Sequence, residues 1–310
     1  MNRLAGIVSA VLGLIVIVLT VLKVVPGMWG TGLLLILVGV IAIGLSFVSG
    51  PEEDGTPRMS TAATIGNIFV SPGEVFQNLR RHPRWLAVLI IAAIVSSTYS
   101  VLFMQRLTPE RVVNFMTDKT VQMPMIANNP EAVKNVEQGR PQAIADAQNP
   151  VLIAASFLND FLGKVFLTAL LSAIFFLFIL ALGGKANYWQ AFAAVAYAWF
   201  PVAVIRNILG AVILYLKDPV DIHPVLGQSG GVLQDSLAFL IVPGEHPVLY
   251  VILGSFSLLS FYWIFLNSSG LKNAGEKVSS TTAWTATLVI FIIGILLFSG
   301  WVAMFPGFMS

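Results

Sequence analysis

The chain has no cysteine and only three histidines in 310 residues. The first absence excludes disulfides, thiolate metal sites and cysteine nucleophiles. Charge is scarce as well: Asp, Glu, Lys and Arg make up 10% of the chain, where soluble domains carry about a quarter. The formal net charge is +2, so there is no basic field to hold nucleic acid, and nucleic-acid binding is disfavoured. No G-x-S-x-G, P-loop or H-E-x-x-H pattern occurs. Asp221, His223, Glu245 and His246 could in principle ligate a metal, but no histidine pair has helical ligand spacing. The expectation is therefore no catalytic residue, no metal and no cofactor.

What is abundant is apolar surface, 57% of residues, and that excess must face lipid. A bilayer core of roughly 30 Å needs about 20 apolar helical residues. Seven segments meet that length: 4–25, 28–48, 85–104, 157–182, 189–216, 248–266 and 283–305. The first is too long for a signal peptide and is read as a retained span. Only Pro26-Gly27 separates it from the second, which predicts a tight hairpin over residues 1–49. Gly50-Pro51-Glu52-Glu53-Asp54-Gly55 opens a polar cytoplasmic linker, residues 50–64, ahead of a five-span body over 65–310. The fold class expected is an all-α polytopic transmembrane helix bundle of seven spans.

Lysines and arginines of the short connections set the orientation. With the N-terminus cytoplasmic, the inner segments carry Arg3, Arg58, Arg80, Arg81, Arg84, Lys185, Lys272 and Lys277. The short outer ones carry only Lys23 and Lys217. The C-terminus is then extracytoplasmic, as is the long loop 106–150. In that loop Thr108-Pro109-Glu110 and Asn129-Pro130-Glu131 each place a capping residue before a proline and an acid, predicting two helix starts. Trp284 and Trp301 lie near opposite ends of the last span, as interfacial anchors do. The stretch 231–242 is too short to cross and reads as an interfacial or re-entrant piece.

Two groups of residues are candidate sites. Ser71, Pro72 and Glu74 form a capping box with proline at the first helical position, and Val70 with Val75 a hydrophobic staple. They start a short interfacial helix over 71–82. Phe76 lies on its apolar side, Arg80 and Arg81 largely on the other, and Arg84 and Trp85 follow Pro83 at the interface. The arginines either meet anionic headgroups of the bilayer or only set topology. Inside the spans, Asp160 and Lys164 share one helix face, and Arg206 lies at a similar depth in the next span, about 15 Å from the outer boundary. This charged cluster is either structural glue or part of a substrate or ion path. Ser96, Ser97, Thr98 and Ser100 either line a cavity or bond their own helix. In the fifth span, Ala191, Ala194 and Ala198 allow close approach before Pro201.

Three stretches, in order, resemble the Ypt-interacting-protein (Yip) family of five-span membrane proteins, over about 65–305. They are Phe69-Val70-Ser71-Pro72-Gly73-Glu74-Val75-Phe76 with Pro83-Arg84-Trp85; Gly183-Gly184-Lys185-Ala186-Asn187-Tyr188-Trp189 leading to Ala196-Tyr197 and Pro201; and Trp263 through Gly270-Leu271-Lys272-Asn273-Ala274. The resemblance implies a non-enzymatic adaptor or scaffold in membrane organisation, or an accessory of an export complex, whose partners are other membrane proteins. The extra N-terminal hairpin and the long outer loop depart from eukaryotic members and point to a bacterial inner-membrane protein. The reading from another class is a small-molecule or ion transporter or channel subunit centred on the charged cluster.

Overall fold

A computed structural model describes residues 3–25, 27–51 and 55–309; Pro26 of the predicted hairpin turn, and Glu52, Glu53 and Asp54 of the predicted linker, lie outside the described residues. The described helices are α1 (Arg3–Val21), α2 (Trp29–Leu45), α3 (Thr61–Asn67), α4 (Pro72–Arg81), α5 (Leu86–Leu107), α6 (Pro109–Val121), α7 (Pro124–Ala127), α8 (Pro130–Gln148), α9 (Pro150–Ala181), α10 (Tyr188–Leu216), α11 (Pro247–Ser255), α12 (Leu258–Ala274) and α13 (Ser280–Met304). Among the described residues there is no β-strand, only isolated bridges between Lys185 and Lys277 and between Ser236 and Ser257.

Five of these helices, α1, α5, α9, α10 and α13, are long and apolar enough to cross a membrane. The other two of the seven expected spans are not single long helices. Helix α2 is apolar but has 17 residues, about 26 Å, a turn short of a typical core. The sixth expected span is broken: α11 ends at Ser255, Phe256 leaves helical geometry (φ −92°, ψ 64°), and α12 starts at Leu258. Ser257 Oγ accepts from the Ser260 amide at 3.1 Å. Asp235 accepts the Leu258 amide through its carbonyl, 3.1 Å, and the Leu259 amide through its carboxylate, 3.1 Å. The new N-terminus is thus capped, which makes the interruption stable.

The chain divides into two compact units. The first comprises Met1–Ile94, Ala154–Ala203 and Tyr262–Phe291. In it α1 packs along α2 with glycines at the seam. A β-carbon on Gly6 would lie 2.8 Å from the Gly39 carbonyl oxygen, and one on Gly13 would lie 2.6 Å from that of Gly32. Ser9 Oγ donates to the Leu35 carbonyl at 2.8 Å. The outward residues of α1, among them Leu4, Val11, Leu14 and Val18, are apolar and exposed, the inverse of a soluble helix. Helix α10 runs through Pro201, and its alanines 191, 193, 194, 196 and 198 are all buried.

The second unit comprises Val95–Ile153, Val204–Phe261 and Ile292–Ser310. Both proline-led helix starts form there: Thr108 Oγ1 accepts from the Arg111 amide at 3.4 Å, and Asn129 Oδ1 from those of Glu131 and Ala132. Arg140 clamps α8 to α6 through Asp118 (2.6 Å) and Asn114 (3.2 Å). A core of Tyr99, Phe103, Leu107, Val112, Leu214 and Ile222 lies beneath, and Tyr99 donates to the Gly227 carbonyl at 2.6 Å. Ser100 donates to the Ser96 carbonyl one turn back, so this hydroxyl is satisfied by its own helix.

Candidate functional site

Helix α4 begins after Ser71 with Pro72 in its first turn, but the start differs from a capping box. The Ser71 side chain makes no capping hydrogen bond, and Val70 is 82% exposed while Val75 is fully buried, so no staple forms. The apolar side of α4, Val75, Phe76 and Leu79, is completely covered by protein. A helix whose apolar face is occupied in this way has none left to insert among acyl chains. Phe76 rests where a β-carbon on Gly270 would stand, 3.0 Å from its ring, with the Ala194 methyl at 3.2 Å from the same point. Gly270 is therefore the gap that admits the ring. Trp85 packs edge-on against Phe192, centroids 5.1 Å apart.

The polar side of α4 is committed too. Asn78 is buried; its amide donates to the Pro57 carbonyl at 2.8 Å and its oxygen accepts from the Met59 amide. Arg84 donates to the Met59 carbonyl (2.6 Å), Thr64 Oγ1 (3.2 Å) and Asn78 Oδ1 (3.3 Å). These bonds fix the segment preceding α3 onto α4. Arg80 and Arg81 both reach Glu276, each at 3.0 Å and on different carboxylate oxygens. Arg80 also donates to the Glu276 carbonyl at 2.9 Å.

Gln190 ties this pair to α10. Its oxygen accepts from the Asn187 amide at 2.8 Å while Asn187 Oδ1 accepts from the Trp189 amide at 2.9 Å, a reciprocal cap at the start of α10. Its nitrogen donates to the Arg80 carbonyl at 2.9 Å and to Glu276 Oε1 at 3.0 Å. Asn187 and Trp189 donate to the carbonyls of Ser49 and Val48, so the same turn holds the segment after α2. Lys185 and Lys277 exchange backbone hydrogen bonds at 2.9 Å. Hydrogen bonding by Arg80 first, then by Gln190, with the charges of both arginines added, holds the Glu276 carboxyl below its ordinary value. Glu276 is therefore an anion at neutral pH, and the cluster is an ionic clamp.

The structure thus brings Arg80, Arg81, Arg84 and Trp85 into one unit with residues 183–190 and 270–277. Glu276 and Gln190 were missed in the sequence. The signals available were the Asn187-x-x-Gln190 capping pattern and the single acid between Lys272 and Lys277. Asp160 and Lys164 bond at 2.6 Å within α9, their side chains 31% and 25% exposed. Arg206 belongs to the second unit and is half-buried. Among the described residues no three of His, Asp or Glu gather where a metal ion could bind.

An all-α chain whose long helices turn leucine, valine and isoleucine outward is an integral membrane protein. A family model described as the Yip1 domain matches residues 66–304, and the chain belongs to the Yip1 family. Comparison with curated proteins and with solved structures gives no match.

Proposed function

We propose that this chain is a non-enzymatic membrane adaptor or scaffold, and that it presents the α4 region to another membrane protein. The observation that carries the reading is the clamp itself. Three stretches far apart in sequence, α4, the start of α10 and Glu276, are fixed to one another by charged and amide hydrogen bonds. A rigid polar surface of this kind suits recognition, because little ordering is needed on binding. The orientation that accompanies it puts the N-terminus and α4 in the cytoplasm and the C-terminus outside, in a bacterial inner membrane. There, α2 and the α11–α12 pair complete seven crossings. Gln77, exposed on α4, is the position to probe. A photo-crosslinking residue there is expected to yield a discrete adduct with one membrane protein in cells. A chain that forms no adduct and purifies alone in mild detergent overturns the reading.

A second reading, a transporter or channel subunit, draws on the Asp160–Lys164 pair inside an otherwise uncharged helix. It requires that Asp160→Asn abolish a flux while leaving the fold intact; an unchanged flux removes it.

A further inference from the structure

The ends of four helices, α4, α9, α12 and α13, line an open pocket of about 870 Å3 in the first unit. Its walls include Gly183 and Gly184 after α9, Lys272 and Asn273 at the end of α12, and Ser279 and Thr282 at the start of α13. Arg80, Arg81, Glu276 and Lys277 complete its polar rim. Four cations therefore face one carboxylate, and that carboxylate is already taken by the two arginines and Gln190. The Lys272 and Lys277 side chains are exposed, and no ion pair or hydrogen bond engages either ammonium group among the described residues.

The helix ends around the pocket are not equivalent. The carbonyl end of α9 is closed by the amides of Leu182, Gly183 and Gly184, and Gly275 returns its amide to Leu271 at the end of α12. At the start of α13, Ser279 Oγ takes the Thr282 amide at 3.0 Å, and the positive end of a 25-residue helix opens on the same space. Left-over positive charge beside the positive end of α13 suits a doubly charged oxyanion.

We propose that this pocket binds a phosphate group, held by Lys272 and Lys277 at the start of α13, with the Arg80–Glu276–Arg81 clamp on its rim. Two sources share that chemistry, the headgroup of an anionic phospholipid and a soluble phosphate. Headgroups come within reach because three apolar helices terminate here, which is where hydrocarbon gives way to water. The proposal does not depend on the adaptor reading, since it concerns a ligand of the chain alone.

Native mass spectrometry of the purified full-length protein in mild detergent tests it, with phosphatidic acid, phosphatidylcholine and inorganic phosphate as probes. Phosphatidic acid is expected to bind in preference to phosphatidylcholine, and more weakly as salt rises. The double variant Lys272→Gln/Lys277→Gln is expected to lose about thirtyfold in affinity. The pair Lys119→Gln/Lys134→Gln, which lies in the second unit and outside the pocket lining, is expected to keep it. Both lysines of the pocket variant are exposed, and an unchanged thermal midpoint confirms that it folds. Inorganic phosphate that competes with the lipid supports the site and assigns it a soluble ligand; failure to compete supports it as a headgroup site. Equal binding of the two lipids, or undiminished binding by the pocket variant, overturns the proposal.

Discussion

Glu276 is the residue on which the clamp turns, and its energetics follow from exposure. Its side chain is 37% accessible and those of Arg80 and Arg81 are 34% and 23%. Water screens the pairs, and each contributes no more than about 1 kcal/mol. Glu276→Gln is accordingly expected to lower the thermal midpoint modestly at pH 7. The carboxyl is depressed from an ordinary value near 4.5, so its contribution is complete above that value and is lost as pH falls through the depressed one. The gap between wild type and Glu276→Gln measured in detergent should close on acidification below about pH 4; a gap that widens with acid contradicts the assignment. At this scale the sequence was half legible. Arg80 and Arg81 stood out as a charged face, but their partner lies 195 residues or more along the chain, and no local pattern pairs them. Helical spacing puts Asn78 on the polar side of α4 but cannot foresee that residues 57–59 fold back over it.

Among the elements, the α1–α2 seam makes the sharpest demand. Gly13→Val would place a β-carbon 2.6 Å from the Gly32 carbonyl oxygen and 2.8 Å from the Ile36 amide nitrogen, and backbone atoms held in two packed helices cannot move aside as the end of a side chain can. A loss of about 1–3 kcal/mol is expected, read as a lower thermal midpoint and faster proteolysis in the turn after α1. Gly44→Val is the matched control, since a β-carbon there meets nothing within 4 Å, and it should behave as wild type. Long apolar runs made α1, α5, α9, α10 and α13 legible, because lipid as solvent demands length and little else. The division between α11 and α12 was not, although Ser257 could have served as a warning. A serine in an apolar run caps a new helix only if the other free amides find acceptors, and Asp235 provides them from a loop more than twenty residues upstream.

For the molecule as a whole, the family was readable from three short motifs, and the matched interval 66–304 covers the region they span. Orientation is open to a direct test because the chain lacks cysteine. Single cysteines in place of Gln77 and of Gln138, both exposed, report on the two sides without background. A membrane-impermeant maleimide added to intact cells should label Gln138→Cys and spare Gln77→Cys; the reverse pattern inverts the topology. The length of α9 carries a last consequence. Its 32 residues measure about 48 Å, while hydrocarbon occupies about 30 Å. If the helix leaves the hydrocarbon near Ala181, ahead of the glycine turn, Asp160 lies about 32 Å up the rod and Lys164 about 26 Å. The carboxylate then stands at the far shoreline rather than 15 Å beneath it, with the lysine's flexible stem stretching up to meet it. A charge moored at the water's edge needs no conduit to explain it.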